Sequence, residues 1–339
     1  MKKLIFSVAL LSAALSASAE EHPLWMRYPA ISPDGTTIAF AYKGDLYSVS
    51  VNGGEARQLT THASFDSHPV WSPDSKKIAF QSNREGSLDI FVIDAKGGAP
   101  TRLTTNSGSE TPIAFADNDH VLYSASLQPT AQSIIFGDNT FPQVYKVSTK
   151  GGRPELFSTL TMENISIAKN GDILYHDKKG YEDPWRKHQK SPIARDIWLK
   201  SNGKFAKQTT FAGEDRSPVW TSDEKSFFYL SEQDGTFNIY RRSLNSSSDK
   251  QITHHKGNPV RFLTASSTDL LCYGYDGEIY TVKEGGEPQK VNISITTDND
   301  APSLVRQIKS WGATEISVSP DAKEVAFVMH GDVYVTSVE

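Results

Sequence analysis

Short apolar runs alternate with polar turns along the whole chain, and no stretch sustains the 3.6-residue spacing of a useful amphipathic helix. Residues 68–104, HPVWSPDSKKIAFQSNREGSLDIFVIDAKGGAPTRLT, carry the pattern most clearly. Pro69-Val70-Trp71 leads into Ser72-Pro73-Asp74-Ser75, where Pro presets a turn and Asp can bond the backbone ahead of it. Lys77-Ile78-Ala79-Phe80 is a second apolar run, and Leu88-Asp89-Ile90-Phe91-Val92-Ile93 is a third, rich in β-branched and aromatic residues. Gly97-Gly98 supplies the positive φ angles of a tight hairpin. Thr101-Arg102-Leu103-Thr104 closes the unit as a more polar, alternating strand. The stretch predicts four short strands.

The same order of signals recurs. Ile31-Ser32-Pro33-Asp34-Gly35, Ile38-Ala39-Phe40, Asp45-Leu46-Tyr47, Gly53-Gly54 and Leu59-Thr60 form the preceding unit, with Pro33 lying 40 residues before Pro73. Four strands every ~40–45 residues mark a β-propeller blade. One blade cannot bury both its faces, whereas blades packed in a ring can. Further units open at Thr111, Ile165, Pro218 and Pro259. The reading is therefore all-β: a six-bladed β-propeller of four-stranded antiparallel blades over residues 20–295, then a polar linker over 296–312. The last strand of the sixth blade is expected across residues 290–295. The pattern restarts at Ile316-Ser317-Val318-Ser319-Pro320-Asp321 and continues through Val325-Ala326-Phe327, so 313–339 read as the incomplete first blade of a second propeller. Three strands leave an unpaired edge. Either the chain is the front part of something longer, or the segment Trp25-Met26-Arg27 pairs there and closes a seven-bladed ring.

The amino terminus stands outside this pattern. Lys2-Lys3, the apolar run over 4–15 and Ala17-Ser18-Ala19 predict a signal peptide over 1–19, cleaved near Ala19. The expected location is the periplasm or the extracellular space. No later apolar run approaches the ~20 residues of a membrane span. Losing Lys2 and Lys3 takes the basic residues from 35 to 33 against 40 acidic ones, a net charge of about −7, which disfavours nucleic acid as a partner. The one cysteine, Cys272, lies in an apolar strand and cannot form an intrachain disulfide, so stability must come from burial.

Two loops break the regularity. Residues 124–143 and 176–194 lengthen the connection between the second and third strands of blades three and four. In a four-stranded blade this connection emerges on the same face as the blade-to-blade loop, so that face is the candidate functional face. The second insertion reads HDKKGYEDPWRKHQKSPIA and concentrates Trp185, Arg186, Lys187, His188 and Lys190 in an acidic protein. Arginine binds carboxylates through two parallel hydrogen bonds, so these residues are candidate ligands for a peptide's acidic end. A solvated loop with Trp185 tucked onto a blade is the competing account. His62, Asp66 and His68 cluster in the first blade-to-blade loop and could suggest a metal, but propeller loops use such residues to tie neighbouring blades by hydrogen bonds, and that is the preferred reading. No G-x-S-x-G, H-E-x-x-H or phosphate-cradling glycine loop is present. No catalytic residue, metal or cofactor is expected in this chain.

The SPDG and WSPD turns, the Ile-Ala-Phe second strands and the Gly-Gly…Leu-Thr ends resemble WD40-like propeller repeats of exported proteins, among them the Tol-system propeller. Four longer stretches are more specific: PLWMRYPAISPDG from Pro23, RDIW from Arg195, FAGEDRSPVW from Phe211 and LCYGYDGEIYTVKEGGEPQKV from Leu271. They resemble the amino-terminal part of bacterial tricorn-like serine peptidases. That resemblance implies a six-bladed propeller followed by a seven-bladed one, a PDZ domain and a peptidase core that holds the catalytic residues. It implies a role in gating or handling peptide substrates and products during proteolysis. The implied partners are peptides or unfolded protein segments and the C-terminal peptidase domains, with homo-oligomers allowed for the full-length form. The alternative is a stand-alone, non-enzymatic periplasmic propeller that binds protein partners, like the Tol-system component.

Overall fold

The computed structural model describes residues 23–127, 141–181, 190–244, 246–296 and 310–338. The regular elements in these residues are β-strands, and no helix among them is long and apolar enough to cross a membrane.

The recurrent Ser-x-Asp turn explains why strands start and stop where they do. The Ser72 hydroxyl donates to Asp74 at 2.7 Å and accepts the Lys77 N–H at 2.9 Å, while Asp74 accepts the Lys76 N–H at 3.2 Å. Ser32 with Asp34, and Ser319 with Asp321, repeat this arrangement. Each turn satisfies its own backbone and hands the chain straight to an apolar second strand.

Among the described residues, six four-stranded sheets span 27–58, 66–102, 110–158, 162–207, 215–251 and 261–290, with strands antiparallel and in sequence order within each. The leading strands Arg27–Ile31, Asp66–Trp71, Glu110–Asp117, Met162–Ile167, Asp215–Trp220 and Arg261–Ala265 touch one another in cyclic order, so they line the centre. The core is correspondingly divided. Each buried apolar cluster lies between two neighbouring sheets: Leu46, Trp71 and Phe80 between the first and second, Phe228, Leu263 and Tyr273 between the fifth and sixth. Phe40, Tyr47, Cys272 and Ile279 fill the seam between the first and sixth. Burial pushes the Cys272 thiol well above its ordinary range, which keeps it a small apolar filler.

A tryptophan indole ties two of the seams in the same way. Trp71 donates its indole N–H to Ala30 O at 2.8 Å, and Trp220 donates to Ser166 O at 3.1 Å. At the closing seam Ile31 N–H donates to Thr264 Oγ1 at 3.1 Å and Ser267 N–H to Pro33 O at 2.8 Å. The chain from 290 to 295 is not one strand, as expected, but two. Gln289–Lys290 completes the sixth sheet, and Ile293–Ser294 pairs in parallel with Gly54–Glu55 on the outside of the first. Val291 and Ile293 both pack into the seam cluster. Gly53, at φ 83°, permits this join: a Cβ there would lie 2.4 Å from Asn292 O.

Residues 313–337 form a separate three-stranded sheet of Ala313–Val318, Glu324–Met329 and Asp332–Ser337, which shares no ladder with the other described strands. Ile316 and Val335 are 70% and 62% exposed. The segment at Trp25 does not pair there; Met26 N–H instead donates to Gly277 O at 3.1 Å, on the sixth sheet. His330 stacks on Phe65, with ring centroids 4.8 Å apart. Because the closing seam uses none of residues 310–338, deleting residues 303–339 is expected to leave the ring folded, with a thermal midpoint within a few degrees of the parent in calorimetry. A large drop would show that the last sheet is part of the ring.

Candidate functional site

Blade-to-blade loops and second-to-third-strand turns share one face. Asp66 N–H donates to Gly44 O at 2.7 Å, Phe65 N–H to Asn83 Oδ1 at 2.7 Å, and Asn258 Nδ2 to Asp276 Oδ1 at 2.8 Å. The leading strands start at this face. Each carries a register shift near its start, and Tyr28, His68, Asn164, Ser217 and Phe262 take positive φ there. In the third sheet Pro112, which cannot take a positive φ, holds that place. Tyr28 brings its ring 3.8 Å from His68 and 4.8 Å from Phe262, so side chains of the first, second and sixth sheets meet at the centre. Burial lowers His68 to about 4, so it is neutral and packs as an aromatic.

The insertion between Ile173–Asp177 and Ile197–Ser201 leaves this face on two stems that are tied together. Lys179 donates to Ala194 O at 2.6 Å and pairs with Asp196, which also holds Lys207 at 2.8 Å. Asp177 accepts the Asp196 N–H at 2.8 Å and the Trp198 indole N–H at 2.9 Å. Ile193 packs on Gly180 so closely that a Cβ there would lie 3.0 Å away.

The base of the stems is bound to the leading strand of the fourth sheet and the start of the fifth by an ionic network. His176 Nδ1 accepts the Ser217 N–H at 3.1 Å, so its proton sits on Nε2, which donates to Glu163 at 3.0 Å. Arg195 bridges Glu163 at 3.1 Å and Glu214 at 2.7 Å, and Arg216 reaches the same Glu214 oxygen at 2.6 Å. Burial pushes both carboxyls up, but the hydrogen bond from His176 on Glu163 and that from Arg216 on Glu214, with the nearby positive charges, hold each well below its usual range. Burial lowers His176, with Glu163 opposing, so the ring stays neutral. Glu163 belongs to the leading strand of the fourth sheet and Glu214 to the segment preceding that of the fifth, so the stems rest on two blades at once.

In two further buried acids the cost of burial outweighs the favourable contacts. Burial pushes Glu110 up to about 7 and Asp215 up to about 7, against nearby hydroxyls of Thr104 for the first and of Ser231 and Thr209 for the second.

Trp185, Arg186, Lys187 and His188 lie outside the described residues, while Lys190 is exposed on the second stem. The His62, Asp66 and His68 cluster is dispersed. Asp66 pairs with Arg84 at 2.8 Å, His68 bonds Ser67 and stacks on Tyr28, and His62 accepts the Ser64 N–H. No group of three or more His, Cys, Asp or Glu positioned for a metal occurs among the described residues. The Glu163–Arg195–Glu214 network escaped the sequence reading. Its traces were there in His176 and Arg195 at opposite ends of one insertion and in the Glu214-Asp215-Arg216 run.

Comparison with known proteins agrees with this architecture. A relative described as tricorn protease homolog 1, from Streptomyces coelicolor, is 25% identical over 322 residues, covering 92% of this chain and 29% of that protein. A crystal structure of the tricorn protease superposes with TM-score 0.69 at 20% identity, covering 93% of this chain and 30% of that one. TolB from Acinetobacter baumannii shares the fold at TM-score 0.57 and 14% identity, over 74% of this chain and 62% of TolB. The chain thus spans about 30% of the tricorn-type proteins that it matches. Residues 23–288 match the family described as the tricorn protease N-terminal beta propeller domain, and the chain belongs to that family.

Proposed function

We propose that this chain is the peptide-handling amino-terminal propeller region of an exported, periplasmic serine peptidase of the tricorn type. On this reading it carries no catalytic residue of its own. It admits or releases peptides for peptidase domains elsewhere in the full-length protein, and residues 313–338 are the opening blade of a second propeller. The observation that carries the reading is the insertion at 178–196, whose stems stand on a rigid ionic base beside the ring's centre, on the face that gathers the loops. Such a base fixes where the two stems leave the ring. The stand-alone Tol-type reading has only the shared fold on its side.

Arg186 and Lys187 supply positive charge against an acidic background, and a peptide's terminal carboxylate is the group they would hold. A charge-assisted hydrogen bond is worth about 1.5–3 kcal/mol, roughly ten- to a hundredfold in affinity. Arg186→Ala with Lys187→Ala is expected to weaken binding of free-acid peptides by that factor and to leave amidated peptides unchanged. Calorimetric titration of both peptide forms against both proteins measures it. Equal binding of acid and amide by the parent protein would leave the solvated loop as the better account.

A further inference from the structure

The second and third sheets differ at one position in a way that exposes a vacancy of charge. Asp66 opens the leading strand of the second sheet and is fully buried. Arg84 pairs with it at 2.8 Å, and the same guanidinium lies 5.4 and 4.7 Å from the ring centroids of Phe80 and Phe91. Those two rings are 5.9 Å apart at 30°.

The third sheet repeats the acid and the aromatic pair. Glu110 faces Ala125 across the ladder as Asp66 faces Ser82. Tyr123 and Tyr145 are cross-strand partners as Phe80 and Phe91 are, with centroids 5.8 Å apart at 30°. Arg84 lies two residues beyond Ser82, and the residue two beyond Ala125 is Leu127. Glu110 is 1% exposed and, apart from the nearby Thr104 hydroxyl, neither of its carboxylate oxygens reaches a hydrogen-bond partner. The hydroxyls of Tyr123 and of Ser126, the residue after Ala125, are also buried without one. Across the seam Arg102 is committed to Asp89 at 2.7 Å.

We propose that Glu110, Tyr123 and Tyr145 form a slot for a guanidinium group, contributed by an arginine side chain of a bound polypeptide. A buried carboxylate with no ion-pair partner of its own is costly, and a guanidinium satisfies both of its oxygens at once. Its flat face also stacks on aromatic rings, as that of Arg84 does one blade earlier. The slot lies at the loop-bearing end of the third sheet, where the chain enters the other insertion. It therefore adds a side-chain preference to the peptide-handling reading, on which it rests for its ligand.

The test is a titration at pH 8, followed by NMR, with methylguanidinium, N-acetylarginine amide and the neutral isostere N-acetylcitrulline amide. Saturable binding of the two guanidinium compounds, and none of the citrulline compound, is expected. Glu110→Gln is expected to weaken it at least tenfold. Leu127→Arg, which puts a guanidinium where Arg84 stands in the blade before, is expected to abolish it and to raise the thermal midpoint. Arg186→Ala with Lys187→Ala leaves it unchanged, which separates this slot from carboxylate capture. Binding of arginine amide that survives Glu110→Gln, or no saturable binding by the parent protein, overturns the proposal.

Discussion

Glu110→Gln combined with Asp215→Asn is expected to stabilise the protein at pH 8 and to flatten its stability between pH 5 and pH 8. Both acids are buried in the ring, and burial pushes each up to about 7 from ordinary values of 4.5 and 3.8. Between the ordinary and the folded value, the folded state binds more protons than the unfolded one. Stability therefore falls as pH rises through that window, and the loss is complete above about 7. One pKa unit corresponds to about 1.4 kcal/mol, so each acid costs on the order of 3 kcal/mol at pH 8, an upper figure that relaxation of the site reduces. The amides keep the shape and cannot ionise. For a protein of this size the pair should raise the thermal midpoint at pH 8 by roughly 10 °C, and by little at pH 5. Glu163 and Glu214, held low, contribute stability that is lost only as pH falls below their ordinary range, so they do not mask the effect. Scanning calorimetry of both proteins across pH 5–8 decides it. A double variant no more stable than its parent at pH 8 means that the acids are not ionised against their surroundings.

Arg195→Ala is expected to cost about 3–5 kcal/mol, because it strips a shared cation from two shielded carboxylates. Glu214 is fully buried and would keep only Arg216; Glu163 would keep His176 and the more distant Lys178 at 3.7 Å. The loss should be coupled. Glu214→Gln made in the Arg195→Ala background should cost much less than the same change in the parent, since it removes the charge left uncompensated. Urea denaturation of the four proteins gives the cycle. A cost below 1 kcal/mol for Arg195→Ala, with no coupling, would falsify the claim that this network anchors the stems.

The repeat was legible because its signals are local. Ser72-Pro73-Asp74 and its counterparts bond within five residues, and the apolar runs Ile78-Ala79-Phe80 and Ile90-Phe91-Val92 pair across one hairpin. The candidate face was legible for the same reason, since loop length is read directly. What joins distant parts was not. Asp66 extends its strand three residues before Pro69 through a bulge at His68, where positive φ in a non-glycine residue carries no local mark. Ile293–Ser294 reads as the tail of a blade, but its partner Gly54 stands more than two hundred residues earlier. Glu163, His176, Arg195 and Glu214 are separated by two strands and an insertion, and only packing brings their charges together.

The join at Gly54 also sets how the molecule carries mechanical load. The chain leaves the ring directly after Ile293–Ser294, so tension from the residues that follow reaches this join before it reaches any four-stranded sheet. The fastening consists of two residues in parallel pairing, with Gly54 N–H and Ala56 N–H donating to Asn292 O and Ser294 O at 2.8 Å each. Once it peels, the seam rests on the Phe40, Tyr47, Cys272 and Ile279 packing and on the bonds to Pro33 and Thr264. Under force the ring is expected to open there first, like a split washer, before any four-stranded sheet unzips.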